Sequence, residues 1–548
     1  GIAAAAKMMG KRVAAVGLVG LLGLASANAN KQDIALLREE VKTIQNQLDA
    51  QDKLVAERQA ALTKVSSSRR LDAHLVTAEA FAAQQNDYNG ALDSMWLCLC
   101  GALVMLMHGG FSMLETGCCR AKNAQNVLMK NLVNVTAGTL GWWIFGWAFA
   151  FGKLKQDGAL ENQFIGDKQF FGMDMINVKD NGVTFLKEGE TQSTMLMWFF
   201  QWAFCTAGAT IVSGGVAERV KAPTYGCYAF VMAAFIYPVV VAWTWGYGWL
   251  STVFGVGFVD FAGSGVVHLT GGVSALAGTI VLGPRKGRFE NPELFEAHSL
   301  PLVVLGTFIL WFGWYGFNPG STLGMHSSAT GMLAAQIAMN TTLSAATAGL
   351  GVFGIRYALT RKYDVGGLCN GILAGLVSIT AGCSNMRCGY AVLTGAIGAL
   401  VYQGMSMTLQ RYKIDDPVDA SPVHMGCGMW GVIAAAWFDW GNTKNHFHGW
   451  SGFDCMTDAV TGECADNLRN SALEANLLMI AAIVGWAGTL SGLTFFVLMK
   501  TGMLRIDEDS EEMGMDAKAH SPSRAYSYAG HSPKAQAPAP VVKDDATL

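Results

Sequence analysis

Three patterns of apolar and polar positions follow one another along this chain. Residues 1–30 carry Lys7, Lys11 and Arg12, then an apolar run from Val13 to Leu24, then the small residues Ala25-Ser-Ala-Asn-Ala29. This is the layout of a secretory signal peptide, since the run is short of the roughly 20 residues that cross a ~30 Å hydrocarbon core. Cleavage is expected over retention as a signal anchor, which puts the mature N-terminus outside the cytoplasm. From Ile34 the apolar positions step by three and four through Leu37, Val41, Ile44 and Leu48 to Val55, Leu62 and Val65. That period predicts a coiled coil over 31–72, with Gln51 and Arg58 at weaker seam positions. A single amphipathic helix on a membrane surface is the alternative, but its other faces mix both charge signs instead of being basic. Self-association, and hence an oligomer, follows from the first reading.

Beyond a linker at 73–90 come long apolar runs, at roughly 91–114, 127–152, 194–214, 223–250, 258–282, 299–318, 329–356, 367–382, 388–410, 422–440 and 472–500. In lipid only helices and closed barrels satisfy their backbone groups, and continuous runs of this length predict helices. Eleven spans starting outside place the C-terminus in the cytoplasm. Charge agrees: the inward loops carry Arg120, Lys122, Arg219, Lys221, Arg285, Lys286, Arg288, Arg356, Arg361, Lys362, Arg411 and Lys413. The short outward loops between spans 4/5, 6/7 and 8/9 hold only Arg387, as the positive-inside rule requires. The segments 153–193 and 441–471 then lie outside.

Composition fits this reading. The chain has 548 residues, 51% hydrophobic and only 14% charged, with 65 Gly and a net charge of −3. Mean hydropathy is +0.30. These values argue against a soluble protein, a disordered one or a nucleic-acid binder, and suggest helices packed closely through glycine. Charge concentrates outside the runs, with 15 charged residues in 31–72 alone. Most of the 12 cysteines sit in apolar runs as small packed hydrophobes. Cys455 and Cys464 share an outward loop and could pair, and Cys383 with Cys388 is a weaker candidate. No Cys-x-x-Cys occurs, so no metal or redox cofactor is expected.

Ionisable residues inside a span need explaining, and Asp260, His268 and His424 stand out. The segment Val259-Asp260-Phe-Ala-Gly-Ser-Gly-Val-Val267-His268-Leu-Thr-Gly-Gly272 resembles Val418-Asp419-Ala-Ser-Pro-Val423-His424-Met-Gly-Cys-Gly428. Each has Asp before His and Gly four residues after it. Their spans run in opposite directions, which suggests an inverted repeat of five helices each, with a site near the midplane. One such histidine could be a satisfied core residue; two at matching positions suggest a pair lining a narrow path for a small polar solute. A haem would want two facing histidines on each of two helices. Aromatic residues gather near the outward ends of spans: Phe199, Phe200, Trp202, Phe204, Trp243, Trp245, Trp311, Trp314, Tyr315 and Phe317. They form either an interfacial belt or, with Asp260 and Ser321, a vestibule that selects a cation.

The stretches Gly110-Phe-Ser-Met-Leu-Glu-Thr-Gly-Cys-Cys-Arg-Ala-Lys-Asn123, Gly215-Val-Ala-Glu-Arg219, Asp260 to His268, Gly313-Trp-Tyr-Gly-Phe-Asn-Pro-Gly-Ser321 and Asp415-Asp-Pro-Val-Asp-Ala-Ser-Pro-Val-His424 resemble the ammonium transporter (Amt) family. The resemblance covers about 85–516. It implies an all-α polytopic membrane protein of eleven transmembrane helices, two inverted five-helix repeats plus a final helix, preceded here by the extracytoplasmic coiled coil. It further implies a homotrimer in the plasma membrane whose protomers each conduct ammonium, or NH3 plus a proton, without being enzymes. By motif, Phe200, Trp245 and Ser321 match the outer ammonium-recruiting site, with Asp260 beneath it. Phe204 and Phe317 match the pore gate, His268 and His424 the twin histidines, and Trp314 and Asp416 supporting positions.

The segment 503–518, with Gly514-Met-Asp516, resembles the family's regulatory C-terminal region, where a cytoplasmic regulator is an expected partner. Lys518 stands where many plant relatives have a phosphorylatable Thr. The acidic run Asp507–Glu512 reads either as a solvated linker or as a docking element, and 519–548 as a disordered tail. Two rival functions remain: an ammonium sensor signalling through the tail, and an electroneutral Rh-type NH3 channel.

Overall fold

The computed structural model describes residues 78–152, 162–175, 177–179, 182–184, 193–438 and 471–526, with helical positions between 39 and 60. The stretch 1–30, the loop holding Cys455 and Cys464, and the tail beyond 526 lie outside the described residues. The chain divides into two units, Gly1–Gln85 and Asn86–Leu548. In the first, the described part of the heptad region is helical, and the seam residue Val55 is 57% exposed within the single chain.

Helix α1 spans Ala78–Cys118, so 78–90, read from sequence as linker, is helical. Helix α2 (Ala124–Gly141) continues through Trp142–Gly146, a wider π-turn, to Trp147–Phe151. Then follow α3 (Thr194–Gly215), α4 (Ala222–Trp243), α5 (Ser264–Leu282), α6 (Leu300–Phe317), α7 (Ser328–Thr360), α8 (Val365–Thr380) and α9 (Cys388–Arg411). Helix α10 opens as a π-turn, Ser421–Gly426, and continues as Cys427–Trp437; α11 is Ser471–Lys500. A short hairpin pairs β1 (Asn177–Lys179) with β2 (Gly182–Thr184). Several helices start where a side chain replaces a missing backbone acceptor. Ser193, Ser327 and Asp364 cap α3, α7 and α8, accepting from Met195, Thr330 and Gly367 N–H at 3.2, 3.2 and 2.8 Å.

Seven of the described helices are long and apolar enough to cross a membrane. Helices α2, α7, α8 and α10 are not among them, for two physical reasons. Helix α8 is only 16 residues long. Helices α2 and α7 carry polar residues turned toward neighbouring helices: Asn134 donates to Thr210 Oγ1 at 2.6 Å, and Asn340 to Cys383 O at 2.9 Å. Such pairs satisfy polar groups in a medium that offers no water. Outward positions are apolar: Leu132 of α2, Phe308 of α6, Leu350 of α7 and Leu400 of α9 are each more than 60% exposed. Water would disfavour that surface, whereas acyl chains accept it. Close approach is also built in, since a Cβ on Gly306 of α6 would lie 2.6 Å from Gly110 O of α1.

One sequence expectation changes, and one open choice is decided. Cys383 and Cys388 are free thiols. Of the two readings of the acidic run, docking holds. Next to α12 (Glu508–Met513) and α13 (Met515–Ala519), Lys122 Nζ of the loop after α1 donates to Glu511 O at 3.0 Å, and Lys286 N–H of the loop after α5 to Glu511 Oε1 at 2.7 Å. Just ahead of α12, Ile506 N–H donates to Arg219 O of the loop after α3 at 3.1 Å. Asp507 caps α12, accepting from Ser510 N–H at 2.9 Å. Asp516 caps α2, accepting from Gln125 and Asn126 N–H at 2.9 and 3.0 Å. Lys286 pairs with Glu508 and Glu512, and the docked stretch runs on to Tyr526, whose hydroxyl is 3.1 Å from His298 Nε2.

Candidate functional site

Both histidines sit in the opening π-turns of their helices, and the two turns are built alike. Asp260 precedes His268 by eight residues, and Asp416 precedes His424 by eight. Asp260 accepts backbone N–H bonds from Gly263, Gly265 and Val266 at 2.8, 2.8 and 2.9 Å. Asp416 accepts from Ala420 and Ser421 at 3.0 and 2.7 Å. Three residues after each Asp the backbone turns left-handed, at Gly263 (φ 111°) and Asp419 (φ 58°). The counterpart of Asp260 is therefore Asp416, not the Asp419 that sequence comparison aligned with it. Asp419 instead accepts from Tyr402 Oη and Ser406 Oγ at 2.8 and 2.9 Å.

The glycines four residues after each histidine explain how the two turns meet. A Cβ on Gly272 would lie 2.2 Å from Met425 N, and one on Gly428 would lie 2.7 Å from Ser264 O. Each glycine thus clears space for the backbone beside the other helix's histidine. The result is direct contact: His268 Nδ1 and His424 Nδ1 are 3.2 Å apart, both side chains buried. One Nδ1 must donate and the other accept, so the two rings hold complementary tautomers. Nε2 of His268 is buried with no hydrogen-bond partner among the described residues.

A column of rings leads to this pair. His268 stacks on Trp314 at 5.1 Å and on Phe317 at 5.3 Å between centroids. Phe317 stacks on Phe204 at 4.1 Å, and Phe204 meets Phe200 at 4.8 Å and Trp245 at 6.0 Å. Trp314 is fixed by its Nε1 donating to Thr380 Oγ1 at 2.9 Å. Trp245 lies in the turn beyond α4, its Nε1 donating to Asp260 O at 3.0 Å. Its neighbour Trp243 packs elsewhere, against Trp486 and Trp249. Ser321 Oγ donates to the backbone carbonyl of Phe317 at 2.8 Å, so its hydroxyl stands at the end of α6. Phe200, Phe204, Phe317 and Trp314 are buried, while Trp245 and Ser321 are half-buried, so the column opens at that end.

The opposite side of the pair ends in charge. Phe111, Glu115, Asn370, Val418 and His424 line one small cavity. Glu115 is 1% exposed and Lys130 0%, with Nζ 3.3 Å from the carboxylate. Nearer the loops, Glu218 binds Arg120 at 2.9 Å and also Arg285, whose Nε reaches Asp415 at 2.8 Å. Burial pushes the pKa of Glu218 up, but the Arg285 and Arg120 charges outweigh it and hold the carboxyl at about 2. Asp415 is held at about 2 in the same way, burial being outweighed by Arg285.

The structure brings together Phe200, Phe204, Phe317, Trp245, Trp314, His268 and His424, with Asp260 and Asp416 as backbone-holding groups behind the histidines. Sequence reading missed His108, a third buried histidine on α1 whose Nδ1 is 2.9 Å from Met105 O. It also missed the Glu115–Lys130 pair; both charged residues fall in or beside apolar runs, which was the available signal.

A profile of the Ammonium Transporter Family matches residues 95–526. Ammonium transporter 1 member 3 of Solanum lycopersicum is 37% identical over 456 residues, covering 78% of this chain and 92% of that protein. Ammonium transporter Amt2 of Archaeoglobus fulgidus is 37% identical over 442 residues, covering 78% and 87%. Among solved structures, one titled Sensor Amt Protein is similar with a TM-score of 0.67 and 32% identity, covering 79% of this chain and 99% of that one. Candida albicans Mep2 follows at 0.63 and 26%, covering 77% and 87%. On these matches the chain belongs to the ammonium transporter family.

Proposed function

We infer that this integral membrane protein transports ammonium, and is a transporter, not an enzyme. The observation that carries the reading is the buried histidine pair, 3.2 Å between Nδ1 atoms, at the end of a stacked aromatic column. Its wider assembly is read as eleven spans in two inverted five-helix repeats plus a final helix, forming a homotrimer in the plasma membrane. The N-terminus and its coiled coil lie outside and the docked C-terminal segment inside, where a regulator would find it. Substrate enters from the half-buried end of the column, where Phe200, Trp245 and Ser321 recruit NH4+. Ring faces there attract a partly desolvated cation by ~0.5–2 kcal/mol each, and the Ser321 hydroxyl accepts an N–H bond that an alkali ion lacks.

Beyond Phe204 and Phe317 the path is apolar. A charge at the bilayer centre costs at least ~2.5–3.5 kcal/mol, so carrying NH3 and the proton separately lowers the barrier. The unpartnered Nε2 of His268 suits this role, since a ring nitrogen can accept from or donate to a small N–H solute. Proton exchange through the shared Nδ1 contact then passes charge from one half of the protein to the other. Asp260 serves by fixing the turn that aims His268, since its carboxylate oxygens are occupied by three amides.

A sensor role is the second reading, favoured by the docked C-terminal segment and by one structural neighbour's title. Liposomes containing the protein test the first: an ammonium pulse should evoke an inward current that potassium does not. A protein that responds to neither, and that passes no ammonia, would overturn transport and leave the sensor reading.

A further inference from the structure

The transport reading leaves one buried charge pair without a task. Glu115 and Lys130 are almost wholly inaccessible, at 1% and 0% exposure, and Glu115 lines the same cavity as His424. The contacts around the carboxylate are lopsided. Oε2 accepts from Ser213 Oγ at 2.7 Å and from Asn131 Nδ2 at 3.1 Å, with Lys130 Nζ at 3.3 Å. Among the described residues, no hydrogen bond falls on Oε1. Lys130 is itself fixed, donating to Ser213 O at 2.6 Å. A pair placed only for packing would use both oxygens, because a buried acceptor left bare is costly. One oxygen is anchored and the other is left without a hydrogen bond among the described residues, beside a cavity whose lining is apolar apart from Glu115, His424 and Asn370.

We propose that Glu115 is the proton-transfer group on the far side of the histidine pair, where ammonium is re-formed. The inference rests on the transport reading above. In the forward direction an N–H bond of protonated His424 breaks and an O–H bond forms on Glu115 Oε1. The lone pair of an arriving NH3 then takes that proton, giving NH4+ and restoring the carboxylate. Lys130 keeps its charge throughout. That charge repels the new cation out of the cavity toward the loops. Among the described residues nothing equivalent stands at the aromatic end of the column, where the carboxylate of Asp260 is engaged with three backbone amides.

The test uses full-length protein in liposomes, reading ammonium-evoked current alongside ammonia flux from an internal pH dye. Glu115→Gln is paired with Glu115→Gln/Lys130→Met, which leaves no unpaired buried charge if the single variant does not fold. The expected result is a current reduced by about a hundredfold, in the range of a lost general acid–base group, with ammonia flux within about twofold of the parent. Glu115→Asp should restore part of the current with a shifted pH profile. Parent-like current and pH profile in the double variant would overturn the proposal while leaving transport intact. Ammonia flux without current in the parent protein would also overturn it. An absence of both in the parent would instead refute the transport reading itself.

Discussion

At the start of α5, Asp260 holds three backbone amides and His268 lies against Trp314 and Phe317; at the start of α10, Asp416 holds two, and His424 borders a cavity shared with Glu115. The backbone plan is the same in both turns, down to the left-handed residue three positions after the acid. The surroundings are not. The α5 turn is tied to its neighbours by uncharged bonds, with Ser264 Oγ donating to Val377 O and accepting from Ala381 N–H, both at 2.7 Å. Just ahead of it, Asn476 Oδ1 accepts from Val259 N–H at 2.7 Å. The α10 turn follows Asp415, which is bound into the Arg285–Glu218 network and through it to the docked C-terminal segment. A repeated backbone can therefore place two identical side chains in contact while giving the path two chemically different ends.

Removing the acids should break the comparison most severely. Asp260→Ala leaves three amides unpaired against two for Asp416→Ala, and bonds to a charged group are worth ~1.5–3 kcal/mol each. The melting temperature of detergent-solubilised protein should fall in both variants and further in Asp260→Ala; equal losses would mean the extra bond carries no weight. Next come the glycines. Gly272→Ala forces a Cβ to 2.2 Å from Met425 N, whereas Gly428→Ala meets its nearest backbone at 2.7 Å. Overpacking costs ~1–3 kcal/mol, and ammonium current should drop in both variants, more in Gly272→Ala. Retained current would show that the histidine contact tolerates separation.

A third pair of substitutions addresses selectivity. His268→Asp and His424→Asp each place a permanent acceptor in the path and should raise potassium current relative to ammonium by about tenfold, a shift of ~1.4 kcal/mol. Indifference at both positions would argue for a packing role. The smallest effect concerns pH. Glu218 and Asp415 are held at about 2, below their ordinary values of 4.5 and 3.8, so the stability they contribute is present above those ordinary values. It is lost as pH falls through about 2. Proteolysis should therefore find the C-terminal segment protected from pH 7 down to about 4.5 and progressively released below it.

Much of this was legible in the chain. Each apolar run contains a helix among the described residues, because in lipid the backbone must satisfy itself locally and long apolar runs leave few alternatives. His268 and His424 stand out in the sequence because polar groups in apolar runs are rare, and the aromatic residues because they gather near the ends of those runs. Other features escaped because they depend on geometry that no spacing rule encodes. The run 223–250 does not show that α4 stops at Trp243, so that Trp245 turns toward Phe204 while Trp243 packs against Trp486. The acidic run 507–512 reads from sequence equally as linker or docking element, and only its proximity to Lys286, Arg505 and the loop at Lys122 decides for docking.

By itself, then, the sequence determined the medium, the helices and the identity of the chemical groups, since hydropathy and rarity act locally along the chain. Tertiary structure decided which groups meet. It chose Asp416 over Asp419 as the partner of Asp260, because a carboxylate caps the amides its own turn presents. It set the two histidines 3.2 Å apart through glycines that admit the opposing backbone, and it left one oxygen of Glu115 free beside them. Such contacts join residues as distant as His268 and His424, 156 positions apart, and only packing in three dimensions fixes them.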